Sequence, residues 1–198
     1  MGMTRKSRAA MMEETRAKLI SAGRKAFAEK GFADASMDDL TADAGLTRGA
    51  LYHNFGDKKG LLAAVVAQVD GEMAAKAKQA AANAGDSWAA LEAEGAAYIE
   101  LALDPEIQRI VLLDGPAVLG DPSAWPSQNA CLAETRLALS ALAEDGKLKP
   151  VDIEAAARLL NGAALNAALY VAASEDPEKI LPRTIEAFKA MARGFLIP

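Results

Sequence analysis

Thr47, Arg48, Gly49, Tyr52, His53 and Lys58 bring hydroxyl, guanidinium, imidazole and ammonium groups into one short run of the chain. Cations and hydrogen-bond donors of this kind bind phosphate oxygens and base edges. The same residues are poorly suited to covalent chemistry. His53 is the only His and Cys131 the only Cys, so neither a nucleophile–base pair nor a metal cluster can be assembled from them. The chain has no Gly-rich phosphate loop, and Asp and Glu are scattered without a paired acid–base pattern. The expectation is a protein that is not an enzyme and carries no cofactor and no metal.

The elements around this run must position it. From Met37 to Ala44, the residues Met37, Leu40 and Ala44 recur at i, i+3 and i+7, one apolar stripe of a short helix. Ser36 stands at the N-cap, with Asp39 three residues on, a capping box with a shortened acid. Gly45 supplies the left-handed position that stops the helix, and Leu46 can plug the corner. Thr47 opens a second helix that turns Ala50, Leu51 and Phe55 inward and Arg48, Gly49, Tyr52 and His53 outward. Helix, Gly-centred turn, helix is the arrangement whose second helix enters the DNA major groove.

On pattern alone each residue keeps two readings. Thr47 either caps the helix or turns its hydroxyl to a phosphate, and Arg48 either pairs with a guanine edge or binds a phosphate. Gly49 costs a helix about 1 kcal/mol relative to Ala, a cost explained if the backbone must come close to the bases. Tyr52 is a core aromatic or a DNA contact. His53 is a solvated surface residue or faces the DNA backbone.

The run AGLTRGALYHNFGDKKGLL resembles the signature of the tetracycline-repressor (TetR) family of transcriptional regulators, and the resemblance extends from about Thr15 to Val66. It implies that Tyr52 directs its hydroxyl to a phosphate while its ring supports the helix, and that Lys58 binds a phosphate. It also implies that the helix opened by Asp57 links two domains mechanically, and that the last two helices form a dimeric four-helix bundle. Thr41, Asn54 and Lys59 depart from the family pattern. Asp38, Asp39 and Asp43 make the first of the two short helices acidic, so no phosphate contact is assigned to it.

Composition sets the frame for this module. Apolar residues make up 52% and charged residues 25% of the 198, so a packed globular chain is expected. Ala dominates, and no period-2 run bounded by turns makes a credible strand, so the fold class is all-α, with about nine helices. The net charge is −5, yet residues 1–56 carry 9 Lys/Arg against 7 Asp/Glu. The acid therefore lies in residues 57–198, and the division expected is a helix-turn-helix domain over 1–56 and a ligand-binding and dimerisation domain over 57–198. The basic arm Thr4 to Arg8 either frays or reaches DNA. With one Cys, no signal peptide and an apolar stretch at 155–173 interrupted by Arg158, Asn161 and Asn166, a cytoplasmic protein with no membrane contact is expected.

Along the chain, helices are expected from about Met12 to Lys30, Asp57 to Ala82, Ser87 (as cap) to Leu103, Glu106 to Leu113, Gln128 to Glu144, Asp152 to Ser174 and Asp176 to Leu196. LLDGPAVLGDPSAWP, with its Pro and Gly residues, is expected not to continue one helix. It reads as a loop or as the wall of a cavity, with Arg109, Asp114 and Trp125 as candidate ligand contacts. Asn161, Asn166 and Tyr170 read as buried polar groups that need partners in a pocket or across a dimer interface, and Asn161 and Tyr170 join the candidate ligand contacts. The reading is a homodimeric repressor, paired through its last two helices and released from a palindromic double-stranded DNA operator by a small-molecule effector. Its rival is a similar helical protein that acts through protein–protein contact.

Overall fold

The computed structural model describes residues 7–198, and among them the chain forms nine helices and no strand. The first, α1 (Arg8–Asp34), starts earlier than expected because the Ser7 hydroxyl accepts from the Ala10 N–H at 3.2 Å. Residues 4–6 of the basic arm lie outside the described residues. Gly31, at φ 76°, breaks α1, and Phe32 returns to the Phe27 ring with centroids 5.9 Å apart. Leu19, Gly23 and Phe27 form the buried face.

Two short helices follow, α2 (Met37–Asp43) and α3 (Arg48–Phe55). The Ser36 hydroxyl accepts from the Asp39 N–H, but Asp39 does not complete the box; its carboxylate lies 3.7 Å from Lys30. Gly45, at φ 65°, makes the corner, where its own N–H reaches Ala42 O and the Leu46 N–H reaches Thr41 O at 2.8 Å. The Asp57 carboxylate accepts from the Gly60 N–H at 2.7 Å and opens α4 (Lys58–Ala81). Leu61, Leu62, Val65, Val66 and Val69 are buried as their spacing predicts.

Two expectations in the middle of the chain need correction. The cap of α5 (Ser87–Glu100) is Asp86, not Ser87, because the Asp86 carboxylate accepts from both Trp88 and Ala89 N–H at 2.9 Å. The stretch 112–126 does not continue one helix, as expected, but the helix expected to end at Leu113 runs on through Gly115-Pro116 to Leu119. We designate as α6 the run made of Pro105–Ile107, a π-helical Gln108–Asp114 and Gly115–Leu119. The wider π turn sends the Gly115 N–H back to Ile110 O, a register that admits Pro116 in the next turn. The true stop is Gly120, at φ 93°.

The remaining helices are α7 (Pro126–Glu144), α8 (Ile153–Ala172) and α9 (Pro177–Arg193). A single antiparallel bridge, Leu148 to Leu196, closes the carboxy-terminal end. Phe27, Leu40 and Leu51, on the first three helices, do not form a separate core. They share one cluster with Val69, Ile110, Ala168 and Phe188, while Phe55 is only half-buried against its edge. A second cluster, including Trp88, Leu139, Leu142 and Leu160, fills the far end. No helix among the described residues is long and apolar enough to cross a membrane.

Candidate nucleic-acid interface and interior cavity

Leu51 is fully buried and anchors α3 by one side chain, which fixes the rotation of the helix. That rotation leaves Thr47, Arg48, Gly49, Tyr52 and His53 exposed, with Tyr52 at 47%. The Thr47 hydroxyl accepts from the Ala50 N–H at 3.2 Å, so its capping role is present in the folded chain. Asn54 is turned inward, its amide donating to Ala50 O at 2.8 Å. Arg16 braces the inner side of α3, lying over the Phe55 ring at 4.6 Å. Thr41, buried under α2, donates to Met37 O at 2.9 Å, which satisfies a hydroxyl where a smaller residue would need no partner.

The acidic α2 touches this face at one point. Arg48 Nε lies 3.3 Å from the Asp38 carboxylate, with the two side chains 54% and 68% exposed. A pair so open to solvent is worth about 0–1 kcal/mol, less than the ~1–3 kcal/mol of a bidentate base contact. Lys58, at the start of α4, donates to Ala33 O at 3.2 Å and sits 4.7 Å from the Phe32 ring. Its ammonium is thus held against the end of α1.

Polar ties fasten this module to the helices behind it. The Arg24 guanidinium donates to both oxygens of Glu106, at 2.7 and 2.6 Å, and to Glu72 at 2.8 Å. Hydrogen bonding from Arg24 is the main cause holding the Glu72 carboxyl below its usual range. The Phe32 N–H donates to the Asp114 carboxylate at 2.7 Å, and Arg109 pairs with the same carboxylate at 3.3 Å. Arg109 and Asp114, candidates for ligand contact, therefore sit where α6 meets the end of α1. Trp125 packs its ring on Gly115, buried, with its indole N–H lacking a partner among the described residues.

An interior cavity of about 420 Å³ lies elsewhere, between α4, α5, α7, α8 and α9. Ala77, Leu91, Leu160, Ala164 and Phe188 supply apolar walls, and Asn161 is the sequence candidate that lines it. Asn161 accepts from the Thr135 hydroxyl at 2.8 Å. Tyr98 also lines the cavity and donates to Asp70 at 3.3 Å; Gln128 donates to the other Asp70 oxygen at 3.2 Å. Burial, with the Asp70 charge, holds the Tyr98 hydroxyl well above the usual phenol range. Burial likewise pushes the Cys131 thiol up to about 11, so this lone Cys is a poor nucleophile. Asp70, Tyr98, Gln128 and Glu94 were not singled out from sequence, because an acid inside an apolar helix face gives no signal of what it meets.

Tyr170 faces a separate groove between α8 and α9, lined also by Asn166, Ile180, Arg183 and Met191. Asn166 and Tyr170 are exposed, not buried as expected, and Leu159, 63% exposed, lies on the same helix.

A capped helix pair with its polar face open, carried on an all-helical body with an interior cavity, defines a helix-turn-helix regulator. The comparisons with known proteins name the group more closely. The family model "Bacterial regulatory proteins, tetR family" matches residues 19–65, and "Tetracyclin repressor-like, C-terminal domain" matches residues 88–195. The chain belongs to the TetR family of DNA-binding transcriptional regulators. It is 47% identical to a TetR-family transcriptional regulator from Pectobacterium atrosepticum, over 98% of this chain and 99% of that one, with a TM-score of 0.87. It is 26% identical over 184 residues to the transposon Tn10 TetC protein of Escherichia coli, covering 90% of this chain and 89% of that protein. The fold is also shared with RolR, solved in complex with resorcinol, at 21% identity and a TM-score of 0.69 over 94% of this chain and 95% of that one.

Proposed function

We propose that this chain is a homodimeric repressor that leaves a palindromic operator when a small molecule enters the cavity beneath α4. Residues 1–56 form the DNA-binding part and residues 57–198 the effector and dimerisation part. Arg48 reads a base edge, Gly49 lets the backbone approach, and Tyr52, His53, Lys58 and the Thr47 hydroxyl meet phosphates. The observation that carries this reading is the open polar face of α3, whose inner face is fixed by Leu51. Two such helices in a dimer meet half-sites about one helical turn, 34–36 Å, or a multiple of it apart.

The dimer is assigned to α8 and α9. Leu159, Tyr170 and Met191 leave apolar surface uncovered there, at 63%, 59% and 45% exposure. Small residues Ala163 and Ala167 line the groove and favour close helix approach. Coupling follows from α4, which lines the cavity through Ala74, Ala77 and Lys78 and starts at Lys58 beside α3. A shift of α4 or α6 reaches α1 through Arg24 and Asp114. For near-complete release the effector must favour the DNA-incompetent arrangement by about 5.5 kcal/mol.

The rival reading is protein contact with little DNA affinity, which an acidic α2 would favour. Asp38 and Asp39 are each paired with a basic neighbour, which leaves less free negative charge beside α3 than the sequence implies. Fluorescence titration against DNA fragments flanking the gene that encodes the chain, at two salt concentrations, tests the proposal. One tight site whose affinity falls steeply with salt is expected. Equal, weak binding to every fragment would refute operator recognition.

A further inference from the structure

The cavity is unevenly charged. Among the described residues Lys78 is the only basic one that lines it, and its ammonium is bonded to Glu134 at 2.8 Å on the rim. Glu94 also lines the wall and has no hydrogen bond or ion pair among the described residues. Behind Tyr98 and Gln128 lies Asp70, only 1% exposed, with no Lys, Arg or His within ion-pair distance among the described residues. One cation, already bonded to Glu134, therefore faces the carboxyl groups of Glu94 and Glu134 on the wall and of Asp70 behind it, so negative charge is in excess around the apolar space. Anions are disfavoured there by repulsion and desolvation. The aromatic side chains of Tyr98 and Phe188 also line the wall.

We infer that the effector is a lipophilic organic cation, an amine or quaternary ammonium with an apolar or aromatic body, whose charge lies against Glu94 on the cavity wall. The inference rests on the cavity being the effector site. The walls at Leu91, Leu160, Ala164 and Phe188 take the apolar body, and the Asp70–Tyr98–Gln128 chain orients the polar end. Burial and the neighbouring charge of Glu134 push the Glu94 carboxyl upward, with Lys78 opposing, the imbalance that an entering cation relieves.

Three probes of one shape separate the charge from the apolar body: phenylbutylamine, phenylbutanol and phenylbutyrate, titrated calorimetrically into the full-length protein. The amine is expected to bind at least about tenfold tighter than the alcohol, and the carboxylate weakest of all. Glu94→Gln should bring the amine to within about threefold of the alcohol while leaving the alcohol's affinity unchanged, which also shows that the cavity is intact. Equal or tighter binding of the alcohol or carboxylate, no binding of any probe, or an amine preference that survives Glu94→Gln would overturn the inference. Operator release is read separately by fluorescence anisotropy. An amine that binds without releasing DNA refutes the responsive-repressor reading alone, and release by the neutral or anionic probe refutes the cation alone.

Discussion

The outer face of α3 and the cavity are built in opposite ways. The face comes from neighbours in sequence, held by one buried Leu and a set of caps, and its polar groups all point to solvent. The cavity takes residues from Ala74 to Phe188 on five helices, and several of its polar groups, among them Tyr98, Gln128, Thr135 and Asn161, are tied to other side chains from distant parts of the chain. A local surface tolerates changes to any single polar residue without loss of the helix. An assembled cavity changes shape with every helix that borders it. Binding DNA and sensing a ligand thus place different demands on the same continuous core.

Changes at the two places should break or sharpen this contrast. Leu51→Ala removes the single anchor of α3 and should cost about 2–5 kcal/mol in thermal unfolding and abolish DNA binding. Because Leu51 shares one core with Phe188, the loss should appear as a lowered single transition in calorimetry. Gly95→Ala acts on the cavity side, where a Cβ would lie 2.5 Å from the Phe188 ring. Overpacking there should cost about 1–3 kcal/mol and weaken probe binding while leaving unliganded DNA affinity within about twofold.

Asp38→Asn should have a smaller effect of the opposite sign. Freeing Arg48 and removing a negative charge should tighten DNA binding by up to about fivefold, read by anisotropy at low salt. Acid titration gives the smallest effect. Glu72 is depressed chiefly by its bond from Arg24; at Glu92 desolvation pulls upward but is outweighed by bonds from Arg193 and Trp88. Both folded values lie below the ordinary 4.5, so their stabilisation is complete above that pH and is lost as the pH falls through the depressed values. Glu72→Gln and Glu92→Gln should therefore flatten the acid end of the Tm profile. Glu94 is raised instead, so Glu94→Gln should leave the acid end unchanged and lift Tm modestly at neutral pH.

The sequence speaks most clearly where interactions are local. Ser36, Thr47 and Asp57 cap the helices that their positions predict, and Gly45 turns the corner, because each acts within three or four residues. The apolar stripe of α4 is read correctly for the same reason. Arg24 spans to Glu72 and Glu106, contacts 48 and 82 residues away that periodicity cannot register. The run around Gly115-Pro116 misleads because a π turn absorbs the Pro that would break an α-helix. Of the candidates for ligand contact, Asn161 lines the cavity, Tyr170 faces the α8–α9 groove, and Arg109 and Asp114 fasten α6 to α1. Helix rotation decides such placements, and an error of one residue turns a side chain by 100°.

The most direct test compares wild type with Arg48→Ala, Tyr52→Phe and Lys58→Ala on one panel of operator variants. If α3 lies in the major groove as proposed, Arg48→Ala reorders the panel and costs about 1–3 kcal/mol at its preferred site, whereas the other two weaken every sequence alike. An unchanged ranking for Arg48→Ala, with affinity for all variants intact, would contradict the placement of α3 against the bases.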